Sequence, residues 1–88
     1  MEPTIYTISG SPRGWRVLLG MVIKGLDMKV EYLSLSKSEH KSDSYLLINP
    51  RGRVPSLVAG KTVITDSLAI LSWLDRKYPE RPSFWQQS

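Results

Sequence analysis

Hydroxyl, carboxylate and guanidinium side chains stand at three short turns of this sequence, and each turn could bind an anion or an extended peptide. In the first turn, Ser11 directly precedes Pro12. Proline suits the first turn of a helix, where unpaired N–H groups attract anions. Ser11 therefore either caps the helix or donates its hydroxyl to a thiolate or an oxyanion. No Gly-x-Ser-x-Gly elbow surrounds it, so a serine hydrolase is not predicted.

The second turn, Arg53-Val54-Pro55, comes directly before a predicted strand. A proline cannot donate to a strand ladder, so it belongs at the beginning or the edge of a strand. Two interpretations stay open. Pro55 is an ordinary edge proline, or the peptide bond before it is cis. A cis bond would leave the Val54 N–H and C=O free to pair with an extended peptide ligand.

The third turn, Asp66-Ser67, opens an apolar helical pattern. Asp and Ser are preferred helix caps, and capping alone explains them. Alternatively, the N–H and hydroxyl of Ser67 hold a ligand carboxylate while Asp66 accepts from a ligand ammonium. Strand–helix junctions of this kind can gather at one end of a sheet.

The composition excludes several kinds of chemistry. A chain of 88 residues makes one domain with a thin core. It has no cysteine, which excludes a disulfide framework, a thiolate zinc site and any reaction of its own sulfur. His40 is the one histidine, so a multi-histidine metal centre is excluded as well, and we expect no metal site.

The net charge of +4 favours anionic partners. Most basic residues have Asp or Glu nearby, apart from the pairs Arg13/Arg16 and Arg51/Arg53, so we expect a small anionic ligand, or surface charge without a ligand, rather than nucleic acid. No apolar run is long enough for a membrane span. The first residues, Met1-Glu2-Pro3, have neither the basic nor the hydrophobic region of a secretory signal, which indicates a cytoplasmic protein.

Periodicity predicts the elements that position the three turns. The predicted order is a strand (4–9), a helix (12–24), a strand (28–35), a short weak helix ending near 48, two strands (56–59 and 62–65) and a helix from 66 to the proline at 79. The first strand–helix–strand unit requires parallel pairing, and the hairpin around Gly60-Lys61 adds an antiparallel pair. The fold class is therefore α/β, with the order βαβ-α-ββα and a mixed sheet.

The same periodicity predicts which residues are buried. In the second strand we expect Met28, Val30 and Tyr32 to share a face. Trp15 and Trp73 are most simply core residues. In the helices we expect two apolar faces: Trp15, Leu18, Leu19, Val22 and Ile23 in the first, and Leu68, Ile70, Leu71 and Leu74 in the last.

Three spaced motifs together resemble one known family, and the resemblance extends over nearly the whole chain. They read Ser11-x-x-x-Trp15-Arg16-Val17, Asn49-Pro50-x-Gly52-x-Val54-Pro55-x-Leu57 and Asp66-Ser67-x-Ala69-Ile70-x-x-x-Leu74-x-x-Lys77-Tyr78-Pro79. In order and spacing they resemble the thioredoxin-like N-terminal domain of cytosolic glutathione transferases. The resemblance is greatest to the serine-type, zeta-like branch, which includes maleylacetoacetate isomerases. The implied fold is thioredoxin-like with a four-stranded mixed sheet.

The resemblance implies a role for each site residue. Ser11 falls where the family has its catalytic serine, which donates to the glutathione sulfur. Pro55 matches the family's cis-proline, and the Val54 backbone would pair with the cysteinyl backbone of glutathione. Asp66 and Ser67 match the residues that hold the γ-glutamyl group.

The glycine carboxylate of glutathione is the remaining group to place. Arg53 stands before the Val-Pro pair and is a candidate, together with His40. A solvated loop residue is the alternative for His40. The sequence departs from the zeta pattern at one place, where Ser-Ser-Cys-Ser is replaced by Ser11-Pro12-Arg13-Gly14. Without a cysteine, the thiol-exchange reactions of related branches are also excluded.

The resemblance divides the chain into residues 1–80, the glutathione-binding domain, and residues 81–88, the beginning of a linker to a helical domain absent from this sequence. It implies an enzyme that conjugates or isomerises electrophiles when intact, with little activity in the isolated domain. The alternative is a non-catalytic domain of the same fold that serves protein association. Uncovered apolar helix surface also predicts a homodimer or another self-associated state.

Overall fold

The structure is a computed structural model that describes residues 3–79. The predicted linker, residues 81–88, lies outside the described residues. The elements are β1 (Thr4–Thr7), α1 (Pro12–Lys24), β2 (Lys29–Tyr32), a single 3-10 turn (Glu39–Lys41), α2 (Asp43–Ile48), β3 (Ser56–Ala59), β4 (Thr62–Ile64) and α3 (Ser67–Lys77). The predicted order is confirmed, although β1 and β2 are shorter than predicted.

The four strands form one mixed sheet in the order β2-β1-β3-β4. β1 runs parallel to β2 and antiparallel to β3, and β3 pairs antiparallel with β4 across the predicted hairpin. The predicted four-stranded mixed sheet and thioredoxin-like fold are therefore confirmed.

This topology brings three junctions to one edge of the sheet. β1 and β4 run in the same direction, so α1 and α3, which follow them, both begin at the edge where these strands end. Because β3 is antiparallel to both, its first residue lies at that same edge. The sheet thus gathers the three turns that the sequence separates by about 40 and 10 residues.

The two faces of the sheet carry different side chains. Ile5 and Leu57 are paired in register and fully buried in the main core, on the face that α1 and α3 cover. Strand alternation turns Tyr6 and Ser56 to the opposite face. There Tyr45 of α2 packs its ring 5.9 Å from that of Tyr6 and hydrogen-bonds Ser56. The domain therefore has three layers.

The predicted buried face of α1 is wrong at two of its five residues, whereas Leu18 is partly buried against the core. Trp15 and Val22 are 62% and 73% exposed, so Trp15 is not a core residue. The helix instead buries Gly14, Val17, Gly20, Met21 and Lys24. Gly20 lies directly against α3, where an added Cβ would overlap the Leu71 side chain. A prediction from the spacing of large apolar residues does not identify this contact surface, because glycines form part of it.

Two further burial predictions need correction. Leu68 is 47% exposed at the first turn of α3, while Ile70, Leu71 and Leu74 are buried as predicted. Val30 and Tyr32 share a face as predicted, but Tyr32, the last residue of the edge strand β2, is 58% exposed. Trp73 is half-buried and packs against the core.

A buried ion pair joins the carboxyl-terminal ends of α1 and α3. Lys24 is 3% exposed, and its Nζ lies 2.9 Å from Oδ1 of Asp75. The same ammonium donates to the carbonyl of Tyr78 at 3.1 Å. Nothing in the apolar periodicity of α1 predicts a lysine inside the core.

Candidate functional site

A cleft of about 110 Å³ lies at the edge of the sheet where the three turns meet. Its walls come from the first turn of α1, the loop before β3 and the beginning of α3. The lining residues are Arg13, Asn49, Arg51, Arg53, Val54, Pro55, Thr65, Asp66 and Ser67. Five of the seven predicted site residues are among them, and Ser11 and His40 are the two that are not.

The loop before β3 presents an open stretch of backbone to this cleft. The Val54–Pro55 peptide bond is cis, as the resemblance implied. Pro55 is buried, whereas neither the N–H nor the C=O of Val54 has a hydrogen-bond partner within residues 3–79. The backbone of Val54 is therefore available to pair with an extended peptide.

Two buried side chains of the α2 region hold this loop in place. The carbonyl of Arg53 accepts from the Tyr45 hydroxyl at 2.5 Å and from Nδ2 of Asn49 at 3.0 Å. Oδ1 of Asn49 also accepts from the Arg51 N–H at 3.0 Å. Tyr45 and Asn49 are only 2% and 3% exposed, so these bonds form away from water and fix the residue before Val54.

Burial raises the pKa of the Tyr45 phenol above its ordinary value, and the nearby Tyr6 adds to this effect. Hydrogen bonds with Ser56 and Asn49 act in the opposite direction but do not cancel it. The phenol therefore stays protonated at neutral pH and donates a hydrogen bond to the loop.

We expect Tyr45→Phe to lower the free energy of unfolding by about 1–2 kcal/mol at pH 8, because the Arg53 carbonyl and Ser56 hydroxyl lose a buried partner. The neutral phenol is favoured in the folded state, so its contribution is fully present below about pH 10 and is lost as the pH rises through the raised folded pKa. The difference in free energy of unfolding between wild type and Tyr45→Phe should therefore be smaller at pH 11 than at pH 8. Urea unfolding of both proteins at the two pH values measures this difference. The exposed Tyr32→Phe is the control, and a gap that does not change with pH contradicts the prediction.

Asp66 and Ser67 begin α3 in a geometry that serves both capping and ligand binding. Asp66 is the N-cap, and its Oδ2 accepts from the Ala69 N–H at 3.2 Å. Its other carboxylate oxygen is not used by this bond. Ser67 is 3% exposed, yet its side chain makes no hydrogen bond within the described part of the chain. Even when Asp66 caps α3, its second carboxylate oxygen can accept a hydrogen bond at the cleft, and the Ser67 hydroxyl can donate one.

Ser11 is the N-cap of α1, and its Oγ accepts from the Gly14 N–H at 3.1 Å. A hydroxyl that accepts one hydrogen bond still has its own proton to donate. Ser11 does not line the cleft itself, but Arg13 of the same helix turn does. The two alternatives for Ser11, cap and donor, are therefore compatible in one geometry.

His40 lies in the 3-10 turn, outside the cleft. Its backbone carbonyl lies against Gly52, where an added Cβ would be 3.0 Å away. Its Nδ1 is buried and has no hydrogen-bond partner among residues 3–79. The structure thus places His40 behind the Arg51–Arg53 loop rather than on the cleft wall.

Four lining residues were not predicted as site residues: Asn49, Thr65 and the two arginines at 13 and 51. The arginines make the cleft strongly basic together with Arg53. Within the described residues none of the three guanidinium groups has an ion pair or hydrogen-bond partner. The unneutralised pairs Arg13/Arg16 and Arg51/Arg53 were the signal available in the sequence.

A larger and more open hollow of about 440 Å³ lies between α2 and the β2 side of the sheet. Its two carboxylates are already engaged: Glu31 pairs with Lys29 at 3.3 Å, and Glu39 accepts from the Ser34 N–H at 2.5 Å. None of the predicted site residues lines it. The smaller cleft is therefore the better candidate site.

Residues 3–79 contain neither a membrane-spanning helix nor a cluster of metal-binding side chains. No helix there has the length and apolarity needed to cross a membrane. No group of three or more acidic or histidine side chains in that range is arranged to hold a metal ion.

The fold and the cleft define a thioredoxin-like domain with a basic cleft beside a cis-proline. The sequence profile of the family described as "Glutathione S-transferase, N-terminal domain" matches residues 5–82. This chain belongs to that family.

Individual relatives agree with this assignment. A zeta-class glutathione S-transferase of Euphorbia esula is 44% identical over 78 residues, which are 89% of this chain and 35% of that protein. The zeta-like resemblance is therefore confirmed.

Two solved structures have the same fold. A glutathione S-transferase from the Antarctic clam Laternula elliptica superposes with a TM-score of 0.87 at 44% identity, covering 93% of this chain and 37% of its own. A glutathione transferase homologue of Drosophila mojavensis, solved with bound glutathione, gives 0.83 at 35% identity, covering 88% and 35%. The chain thus spans little more than a third of the length of these proteins.

Proposed function

We propose that this chain binds glutathione and favours the thiolate form of its sulfur, as the N-terminal half of a glutathione transferase. One observation carries the proposal: the unpaired Val54 backbone shares a cleft with the free Ser67 hydroxyl and three unpaired guanidinium groups. Glutathione is a small extended peptide with two carboxylates, so it suits such a cleft. The family assignment and the glutathione-bound relative support the same ligand.

The cysteinyl backbone, the two carboxylates and the ammonium of glutathione each have a partner in the cleft. The Val54 N–H and C=O pair with the cysteinyl backbone beside Pro55. The γ-glutamyl carboxylate binds Ser67 at the positive end of α3, and Asp66 accepts from the γ-glutamyl ammonium. Arg53 binds the glycine carboxylate.

His40 and Ser11 do not line the cleft, and each assists in binding one end or group of glutathione. His40 assists at the glycine end from behind the Arg51–Arg53 loop. Ser11 donates its hydroxyl proton to the glutathione sulfur at the beginning of α1. It favours the thiolate by hydrogen bonding and by the helix dipole, and it does not act as a base.

The proposed activity of the intact protein depends on the thiolate that this N-terminal domain binds. A thiolate held at the end of the sheet attacks a small electrophile, by conjugation or isomerisation, in the cytoplasm. We place the electrophile pocket in the helical domain that the family resemblance implies.

A retention experiment on immobilised glutathione tests the ligand. We expect Ser67→Ala and Asp66→Asn each to weaken binding about 10- to 100-fold, because each removes a hydrogen bond to a charged group. Asn keeps the helix cap, so the Asp66 variant tests the charge and not the fold. Ser72→Ala and Asp27→Asn lie outside the cleft and serve as controls. No retention of the wild-type chain would contradict the proposal and favour the non-catalytic association domain.

We expect Ser11→Ala to bind glutathione but to leave the pKa of the bound thiol closer to that of a free thiol, about 8.5. The hydrogen bond that stabilises the thiolate is absent from this variant. Titration of the thiolate absorbance at saturating glutathione measures the effect, with Ser9→Ala as the control. An unchanged titration would contradict Ser11 as the stabilising donor.

Self-association is the third part of the proposal. Trp15, Val22 and Leu68 expose large apolar side chains at the α1 and α3 layer. Apolar surface of this kind favours a second copy or another covering element. Light scattering of the purified chain should show a dimer or a larger species, and a monodisperse monomer would contradict this part.

A further inference from the structure

We propose that Arg13 is the counter-ion of the bound thiolate, a binding residue for the sulfur that acts beside the Ser11 hydroxyl. This inference rests on the proposed glutathione site. Arg13 is the second residue of α1, whose N-cap is Ser11, and it is the only part of α1 that lines the cleft within the described residues. The glutathione sulfur is the ligand group proposed to lie at this helix end.

The guanidinium of Arg13 is free to take an anion. Neither Asp66 in the same cleft nor any other carboxylate of residues 3–79 lies within ion-pair distance of it. Arg16, one turn further along α1, is also exposed but does not line the cleft. Position, and not merely charge, therefore distinguishes the two arginines.

Charge matching points to the sulfur as the partner. Glutathione has two carboxylates and one ammonium, and the cleft has three guanidinium groups and one carboxylate, that of Asp66. Once Asp66 meets the ammonium, Ser67 one carboxylate and Arg53 the other, the guanidinium groups of Arg13 and Arg51 have no partner on the thiol form of the ligand. The thiolate supplies a further negative charge, and of these two arginines only Arg13 belongs to the helix that Ser11 caps.

The three arginines of the cleft come from two segments of the chain. Arg51 and Arg53 flank Gly52 on the loop that leads to Val54. Arg13 belongs to the first turn of α1, the helix that Ser11 caps. It is therefore the cleft arginine that shares a helix end with the residue proposed to bind the sulfur.

An exposed guanidinium acts differently from a hydroxyl. Its attraction for the thiolate is Coulombic, so it lowers the pKa of the bound thiol and is screened by salt. The hydrogen bond of Ser11 is short-ranged and responds little to ionic strength. The two contributions can be separated by the salt dependence of the titration.

The experiment titrates the thiolate absorbance of glutathione bound to the 88-residue chain, at low and at high salt. We expect Arg13→Gln to reduce the thiolate fraction at pH 7 roughly three- to tenfold, the lower end of what a nearby opposite charge produces, because Arg13 is exposed. Arg13→Lys keeps the charge and should retain most of the thiolate. Arg16→Gln should match wild type. The salt dependence of the wild-type titration should be smaller in Arg13→Gln than in Arg16→Gln, because the screened attraction of Arg13 is absent.

A second ligand separates the sulfur from the carboxylates. S-methylglutathione has both carboxylates but no ionisable sulfur, so Arg13→Gln should bind it as tightly as wild type does. Equal weakening of glutathione and S-methylglutathione would overturn the inference and make Arg13 a carboxylate ligand. An unchanged thiolate fraction in Arg13→Gln would also overturn it while leaving the proposed function intact. Failure of the wild-type chain to bind either ligand would overturn both.

Discussion

Asp75→Asn should lower the free energy of unfolding by about 3 kcal/mol, the largest effect we expect from a single substitution in this chain. The substitution leaves the Lys24 ammonium buried without its carboxylate, and a buried unpaired charge is far more costly than a lost surface pair. The side chain of Asp75 is 19% exposed, which places the cost at the lower end of the range for buried pairs. For a domain of this size the melting temperature should fall by roughly 10–25 °C.

Urea unfolding with a matched set of variants measures this effect. Arg76→Gln, on the next and exposed position of α3, should change the free energy by less than about 0.5 kcal/mol. The double variant Lys24→Met with Asp75→Leu removes both charges and should recover most of the loss. If Asp75→Asn and Arg76→Gln have equal effects, the ion pair does not join the two helices as described.

Gly14→Ala should destabilise the domain by about 1–3 kcal/mol, although alanine is the better helix former by about 1 kcal/mol. An added Cβ would overlap Oγ1 of Thr7, which is 1% exposed and has little room to move. The helix must then shift at the turn where Gly14 donates to Ser11, so the cap is weakened as well. The expected sign is opposite to that of helix propensity.

A substitution of Thr7, the residue that the added Cβ would contact, is the control. Thr7→Ala removes Oγ1, after which the nearest contact of the added Cβ is the residue 7 Cβ at 3.2 Å. The double variant should therefore regain stability relative to Gly14→Ala alone, in the same urea experiment. A single Gly14→Ala that is more stable than wild type would show that α1 does not approach β1 this closely.

The elements were predictable because each has a local signal. Ser11 and Pro12 begin α1 at the predicted residue, Gly25 follows its end, and Gly60-Lys61 forms the hairpin loop. Capping and turn preferences act within a few residues, so they need no knowledge of the rest of the chain.

Burial within α1 was not predictable in the same way. The large apolar residues Trp15 and Val22 are exposed, and Gly14 and Gly20 are buried. The helix packs where the chain can approach most closely, which depends on Thr7 and on the helix α3. Periodicity records which side chains are apolar, but it does not record which of them find a partner.

Some features of the candidate site follow from local sequence signals, and others depend on packing in three dimensions. The sequence by itself determined the kinds of residue at each turn, the caps of the helices and the absence of any thiol of its own. It also showed that Arg13 and Arg51 belong to basic pairs with no acidic residue nearby, but it did not show that they line the same cleft.

Only the tertiary structure decided which of these groups meet. The strand directions bring Arg13, Val54 and Ser67 to one edge, and Lys24 finds Asp75 across 51 positions of the chain. His40, which the sequence placed with the site, lies behind its wall. Contacts between residues far apart in the chain depend on the directions of strands and on the space between layers, and no local pattern contains either.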